Sequence, residues 1–169
     1  MITSALKGLV TLAPHAVRYA INQMTDFIEI SKVDIATAQL DTAIQFYLDN
    51  SNLISAITLA GAAEEILGNL VKNQGKSNAL EDILDILCYI HEAVFEKEPN
   101  RKEYARARNG TRNEFKHLCT GESLEVNLDE EAGKLIDRAI KNYQSLFPGI
   151  YPRFNEFEKE WLKRQSQNT

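Results

Sequence analysis

Apolar residues recur along most of this chain at three- and four-residue intervals, the spacing that gathers them on one face of an α-helix. Five long segments show this spacing, at about residues 33–49, 52–73, 78–97, 99–118 and 128–147. The only strand-like run, residues 27–30, is too short to found a sheet by itself. The chain is therefore predicted to be all-α, an antiparallel four- or five-helix bundle joined by short polar turns.

The two ends of the chain differ from this bundle. Residues 1–30 are predicted to be an N-terminal extension with one or two short helices. The bundle itself is expected over residues 31–148. Residues 149–169 form an aromatic-rich tail with a short helix, which is expected to pack on the bundle through side chains such as Phe157 and Trp161.

Charge is distributed unevenly along the sequence. The formal net charge is −5, which does not favour general coating of nucleic acid. Between Arg101 and His117, however, six basic residues face two acidic ones, a local charge of +4 that leaves −9 for the rest of the chain. A solvated charged helix and an anion-binding face are both compatible with this segment.

Cysteine usage and hydropathy indicate a cytoplasmic protein. Cys88 and Cys119 form neither a CxxC pair nor a zinc-ligand spacing, so both are expected to be free thiols in a reducing compartment. We expect no signal peptide and no stretch that is apolar for long enough to span a bilayer. The three histidines lack companion ligands at metal-binding spacing, so no metal and no other cofactor is predicted.

The fourth segment concentrates groups that suit a phosphodiester. On a helical wheel a core face is predicted from Tyr104, Ala107, Thr111, Phe115 and Leu118. The polar residues of the segment fall on the other side: Arg106, Asn109, Arg112, Asn113, Lys116 and His117.

Three of these residues can converge on one spot outside the core. Asn113 and His117 are four residues apart and share a face, and the long stem of Arg112 can reach around from one flank. A guanidinium binds phosphate oxygens as a fork, an imidazole transfers protons near neutral pH, and an amide can orient either group. These groups could support phosphodiester cleavage without metal. The alternative to a catalytic site is that these residues form an ordinary polar helix face exposed to solvent.

Arg112-Asn113, three intervening residues and His117 resemble the HEPN motif, in which an arginine and a polar residue are followed by a histidine. Upstream, residues 41–49 and the block Ala62-Ala63-Glu64 in the second helix are similar to the first helix pair of that family. The resemblance covers about residues 33–147.

The resemblance implies a dimeric helical bundle, often a metal-independent endoribonuclease with arginines and histidines of both subunits in one cleft. It implies that a ribose 2′-OH attacks the adjacent phosphate, with Arg112, Asn113 and His117 as catalytic residues. RNA would be held by the neighbouring polar side chains Arg106, Arg108, Asn109 and Lys116. Some family members are toxins paired with a nucleotidyltransferase antitoxin, and others are non-catalytic RNA-binding or interaction modules, which is the alternative function.

The chain also departs from the family. Some toxin members carry a tyrosine two residues after the histidine, as the site that the antitoxin modifies, whereas this chain has Cys119. The acidic total charge does not favour RNA binding either, and residues 1–30 and the tail after Pro148 lie outside the resemblance.

The second helix carries an acid on its apolar side. Glu64 shares its angular position with Ile57, Ala60 and Leu67, whereas Glu65 falls on the solvent side. A carboxylate among apolar side chains is costly unless it is paired, so Glu64 is predicted to be held by a basic partner, Arg112 in preference to Arg108, and to orient that guanidinium. The alternative is that Glu64 lies at the edge of the stripe and extends to water.

Overall fold

A computed structural model describes residues 28–116 and 123–167, and the chain from Lys32 onward forms one compact unit. The described residues contain helices and no strand, so the predicted all-α bundle is confirmed. The short helices expected within residues 1–30 fall almost entirely outside the described residues, since only positions 28–30 of this range are described. In chain order the helices are α1 (Lys32–Leu48), α2 (Leu53–Asn73), α3 (Ala79–Phe95), α4 (Arg101–Lys116), α5 (Leu128–Leu146) and α6 (Phe154–Gln167).

Helix boundaries follow local sequence signals. The side chains of Asn78 and Asn127 accept hydrogen bonds from the backbone N–H groups three residues on, at 2.9 and 3.2 Å, so both residues are N-caps. After α2, Gly75 adopts a φ of +73°, the left-handed conformation that glycine tolerates beyond a helix end. Gly110 neither splits nor ends α4, which begins at Arg101 rather than at the predicted Pro99.

Helix α2 is the centre of the bundle and packs most extensively against α5 and α1. Its inner face combines bulky side chains such as Ile57 and Leu67 with the small residues Ala56, Ala60 and Ala63, all fully buried. Small side chains let neighbouring helices approach closely. These small residues allow α2 to pack closely against both of its main neighbours.

The same helix is also long and apolar enough to cross a membrane, by length and composition alone. The expectation that no stretch has these properties was wrong. Half of the apolar window is buried inside the protein, because its inner face is occupied by α1 and α5. Length and apolar composition are shared by core helices and membrane spans, so they do not separate the two.

The C-terminal helix completes the core. Phe157 and Tyr151 are each only 1% exposed and belong to the same apolar cluster as the residues of α1, α2 and α5. The Tyr151 hydroxyl donates to the carboxylate of Asp41 on α1 at 2.7 Å. Arg164 places its guanidinium 4.2 Å above the Tyr47 ring, an arrangement favourable to a cation–π interaction. The aromatic tail thus packs on the bundle.

Helix α3 is only partly covered. It is joined to α4 by a contact of 2.7 Å between His91 Nδ1 and the Tyr104 hydroxyl, and His91 is partly buried. Of the apolar residues on the other side of the helix, Ile86, Ile90 and Val94 are 59%, 49% and 64% exposed. Leu84 and Leu87 on the same helix are buried or partly buried, so only the side that carries Ile86, Ile90 and Val94 has no covering element among the described residues.

We expect Phe157→Ala to lower the free energy of unfolding by about 3–5 kcal/mol, because it removes a fully buried aromatic ring from the core. Chemical denaturation followed by circular dichroism measures the loss. Leu162→Ala is the matched control, since Leu162 lies on the same helix and is 64% exposed. Equal stability of the two variants would show that α6 does not belong to the core.

Candidate functional site

Helix α4 partly buries Tyr104, Thr111 and Phe115 of the predicted core face, but it differs from the wheel at two positions. Arg112 was placed outside the core, but its side chain is only 14% exposed. Ala107, predicted to face the core, is exposed. The helix has few apolar residues from which to infer a core face, and a long arginine stem packs as an apolar group. Phe115 lies against the core as expected.

The predicted partner of Glu64 is confirmed. The Glu64 side chain is 3% exposed, and its Oε2 accepts a hydrogen bond from Arg112 Nη1 at 2.8 Å. Glu65, one residue on, is half exposed and its carboxylate is 3.9 Å from the same nitrogen. A carboxylate this deeply buried is tolerated because a guanidinium neutralises it.

A glycine on α2 makes room for the arginine. A Cβ atom built on Gly61 would lie 2.8 Å from Cγ and 3.1 Å from Cδ of Arg112. The stem of Arg112 therefore runs across the backbone of α2 at a distance that only glycine allows. The absence of a side chain at Gly61 thereby leaves the space through which the Arg112 stem reaches Glu64.

A second arginine, Arg138 on α5, approaches the same carboxylate and was missed by the sequence analysis. It is 4% exposed, and its Nη2 lies 3.7 Å from Glu64 Oε2. Its other contacts are long: 3.4 Å to the Arg108 carbonyl oxygen and 3.5 Å to the Asn109 side-chain oxygen. Burial lowers the pKa of Arg138, the charge of Glu64 raises it, and the charges of Arg112 and Arg108 lower it further.

An asparagine continues this polar layer toward α3. Asn142, completely buried on α5, donates to the backbone carbonyl of Glu64 at 3.2 Å and accepts from the backbone N–H of Ala79 at 2.8 Å. One amide thus links α5 to α2 and to the first turn of α3. Because buried polar groups require partners, this bridge fixes the relative positions of three helices.

The sequence contained a signal for both missed residues. Arg138 and Asn142 lie four residues apart, and on a helical wheel both fall beside Leu135 and Ala139 in the apolar stripe of α5. Polar side chains within an apolar stripe require buried partners, and this holds for Arg138 and Asn142 as it does for Glu64.

The remaining predicted site residues are distributed over two faces of α4. Arg106 and Arg108 are exposed, whereas Asn109 is partly buried and accepts from Arg138. Asn113 is partly buried, and Lys116 is the last residue of the helix. His117 and Cys119 lie outside the described residues, so the distance from Arg112 to His117 stays a prediction.

Arg112 also borders a small cavity of about 170 Å³ between α2 and the start of α3. Lys72 and Asn78 line the same cavity, together with the carboxylates of Glu64 and Glu65. Two acids and two bases give this cavity no net positive charge. Residues 28–116 and 123–167 contain no group of three or more His, Cys, Asp or Glu side chains that could hold a metal ion.

In comparisons with protein-family models, with characterised proteins and with solved structures, no match to this chain was found.

We expect Glu64→Gln to lower the free energy of unfolding by about 3–5 kcal/mol, because two buried guanidinium groups would lose their shared negative charge. Urea denaturation at neutral pH measures the effect. Glu65→Gln is the adjacent control and should change stability by about 0.5 kcal/mol or less, as expected for an exposed position. If the two variants were equally stable, Glu64 would not neutralise this cluster.

Proposed function

We propose that this chain is a HEPN-like domain and acts as a metal-independent endoribonuclease. The observation that carries the proposal is the 2.8 Å hydrogen bond between buried Glu64 and Arg112, the arginine of the HEPN-like motif. A carboxylate behind a guanidinium limits its rotation and holds its remaining N–H groups in a fixed direction. Such preorganisation favours stabilisation of a developing phosphorane.

In the proposed reaction the ribose 2′-OH attacks the adjacent phosphorus, the 5′-oxygen of the next nucleotide leaves, and a 2′,3′-cyclic phosphate forms. His117 transfers a proton as general acid or base. Arg112 stabilises the charged phosphorane, and Asn113 orients His117 or the phosphate. Each step uses side chains alone, so the proposed cleavage requires no metal ion.

The outer side of α4 supports RNA as the proposed substrate. Lys102, Arg106 and Arg108 are exposed on this helix. Exposed basic side chains contact phosphates without regard to sequence, and the binding they provide weakens as salt concentration rises. We assign Arg106 and Arg108 to substrate binding, with Asn109 and Lys116 as further contacts.

A non-catalytic HEPN-like RNA-binding or interaction module is the second candidate. The low exposure of Arg112 favours it, because the guanidinium that would bind phosphate is largely engaged with Glu64. The adjacent cavity favours it too, because its two acids and two bases leave no net positive charge to attract RNA. In this alternative Arg112 stabilises the bundle, and RNA or protein partners bind elsewhere on the surface.

The partners that we propose are a second copy of the chain and, for a toxin or stress-response effector in the cytoplasm, a nucleotidyltransferase antitoxin. Homodimerisation would place two copies of Arg112 and His117 in one cleft. The stripe of Ile86, Ile90 and Val94 is an exposed apolar surface suited to the dimer interface. It lies on the helix whose first turn borders the Arg112 cavity through Leu80.

We expect purified protein to cleave mixed RNA in excess EDTA and to leave 2′,3′-cyclic phosphate ends. Arg112→Ala and His117→Ala should each reduce the rate by about 10²–10⁴-fold, the usual loss on removal of a group active in proton transfer or charge stabilisation. Gel electrophoresis and mass spectrometry of the products measure both effects.

Lys159→Ala serves as the control for this experiment, because Lys159 is exposed on α6 and belongs to neither proposed set. Circular dichroism checks that every variant is folded. Equal cleavage by the wild type and by folded His117→Ala would exclude the catalytic assignment. RNA binding without cleavage would favour the second candidate.

We also expect a homodimer at micromolar concentration, which Ile90→Asp should convert to a monomer by placing a charge in the proposed interface. Light scattering measures the mass. Ile54→Asp is the matched control, since Ile54 is 57% exposed on α2 and lies outside the stripe. A monomeric wild type would exclude the dimer, and dissociation of both variants alike would exclude this stripe as its interface.

A further inference from the structure

A second, larger cavity of about 270 Å³ lies where α3, α4, α5 and α6 meet. Part of its wall is apolar, formed by Ile83, Ala107, Leu135 and the indole of Trp161. The indole lies against the backbone of α5, since a Cβ on Gly133 would come within 2.9 Å of Trp161 Nε1. The ring is thereby held in place at the cavity wall.

The other part of the wall carries charged groups: Arg108, Lys134 and Arg138 as bases, Glu131 and Asp137 as acids. Both acids are already neutralised at short range. Glu131 lies 3.0 Å from Lys134, and Asp137 lies 2.7 Å from Lys141. The acidic side chains of this cavity therefore do not need a ligand cation.

Arg138 is in the opposite situation. Its nearest carboxylate, Glu64, is 3.7 Å away and accepts a shorter hydrogen bond from Arg112 at 2.8 Å. The two neutral oxygens that it contacts lie 3.4 and 3.5 Å away, and its buried Nε has no hydrogen-bond partner among the described residues. Hydrogen bonds between a guanidinium and an anion are normally about 2.7–2.9 Å long. Within residues 28–116 and 123–167, this buried cation therefore has no negative partner closer than 3.7 Å.

From this geometry we propose that the cavity binds a small organic anion, such as an aryl phosphate. Its phosphate group would contact the edge of Arg138 that lines the cavity and the side chain of Arg108 at the mouth. Its apolar body would lie against Leu135 and Trp161. Glu64 carries one negative charge for two buried arginines, and an anionic ligand would supply a second one. Binding of this ligand does not depend on the proposed RNA cleavage.

The single tryptophan of the chain, Trp161, reports on this cavity directly. Titration with phenyl phosphate should change tryptophan fluorescence saturably, whereas phenol, which has the ring without the charge, should not. Arg108→Gln should raise the dissociation constant about tenfold, the expected loss for one charge-assisted hydrogen bond. Ala107→Leu, which fills the cavity while retaining a strong helix former, should raise it at least as much.

Lys102→Gln is the control, because it removes an exposed positive charge from the same helix without touching the cavity. It should leave the dissociation constant within about twofold of the wild-type value. The absence of a saturable response up to about 10 mM phenyl phosphate would overturn the proposal. An equal response to phenol, or unchanged binding in both Arg108→Gln and Ala107→Leu, would overturn it as well.

Discussion

The centre of this bundle depends on the ion pairs that the buried carboxylate of Glu64 forms with two arginines. This carboxylate lies on the innermost helix, 3% exposed, and faces guanidinium groups from two other helices. Removing a carboxylate from water costs several kcal/mol, which only close and well-placed partners offset. The positions of α4 and α5 relative to α2 are therefore constrained by charge as well as by apolar packing.

Two neighbouring features make this arrangement possible. Gly61 lets the stem of Arg112 cross α2 in close contact, and Asn142 holds α5 to the Glu64 backbone and to the start of α3. One carboxylate is shared unequally, with Arg112 at 2.8 Å and Arg138 at 3.7 Å. The nearer arginine is oriented by this carboxylate, whereas Arg138 has no closer anionic partner in the part of the chain that the structure describes.

Local sequence patterns were sufficient to predict the helices, because caps such as Asn78 and Asn127 and the spacing of apolar residues are local properties. The burial and pairing of Glu64 were predictable too, since its position within an apolar stripe forces a basic partner. The partner of a buried charge can come from any helix, so Arg138 required either the tertiary structure or the same test applied to α5.

The face of α4 was harder to predict. Its buried edge is built from Arg112 and Asn109, residues that a hydropathy pattern assigns to solvent. The exposure of Ile90 on α3 was also unpredictable, because periodicity identifies an apolar face but not whether another element covers it. His117 lies outside the described residues, so the catalytic pairing with Arg112 rests on sequence alone.

A double-mutant cycle on Glu64→Gln and Arg112→Met, measured by urea denaturation, tests the shared carboxylate most directly. If Glu64 neutralises Arg112, the two losses in unfolding free energy are not additive, and the cycle gives a favourable coupling energy of about 0.5–3 kcal/mol. A cycle with Arg138→Met should give a smaller coupling, because its nitrogen lies farther from the carboxylate. Additive losses in both cycles would contradict the account.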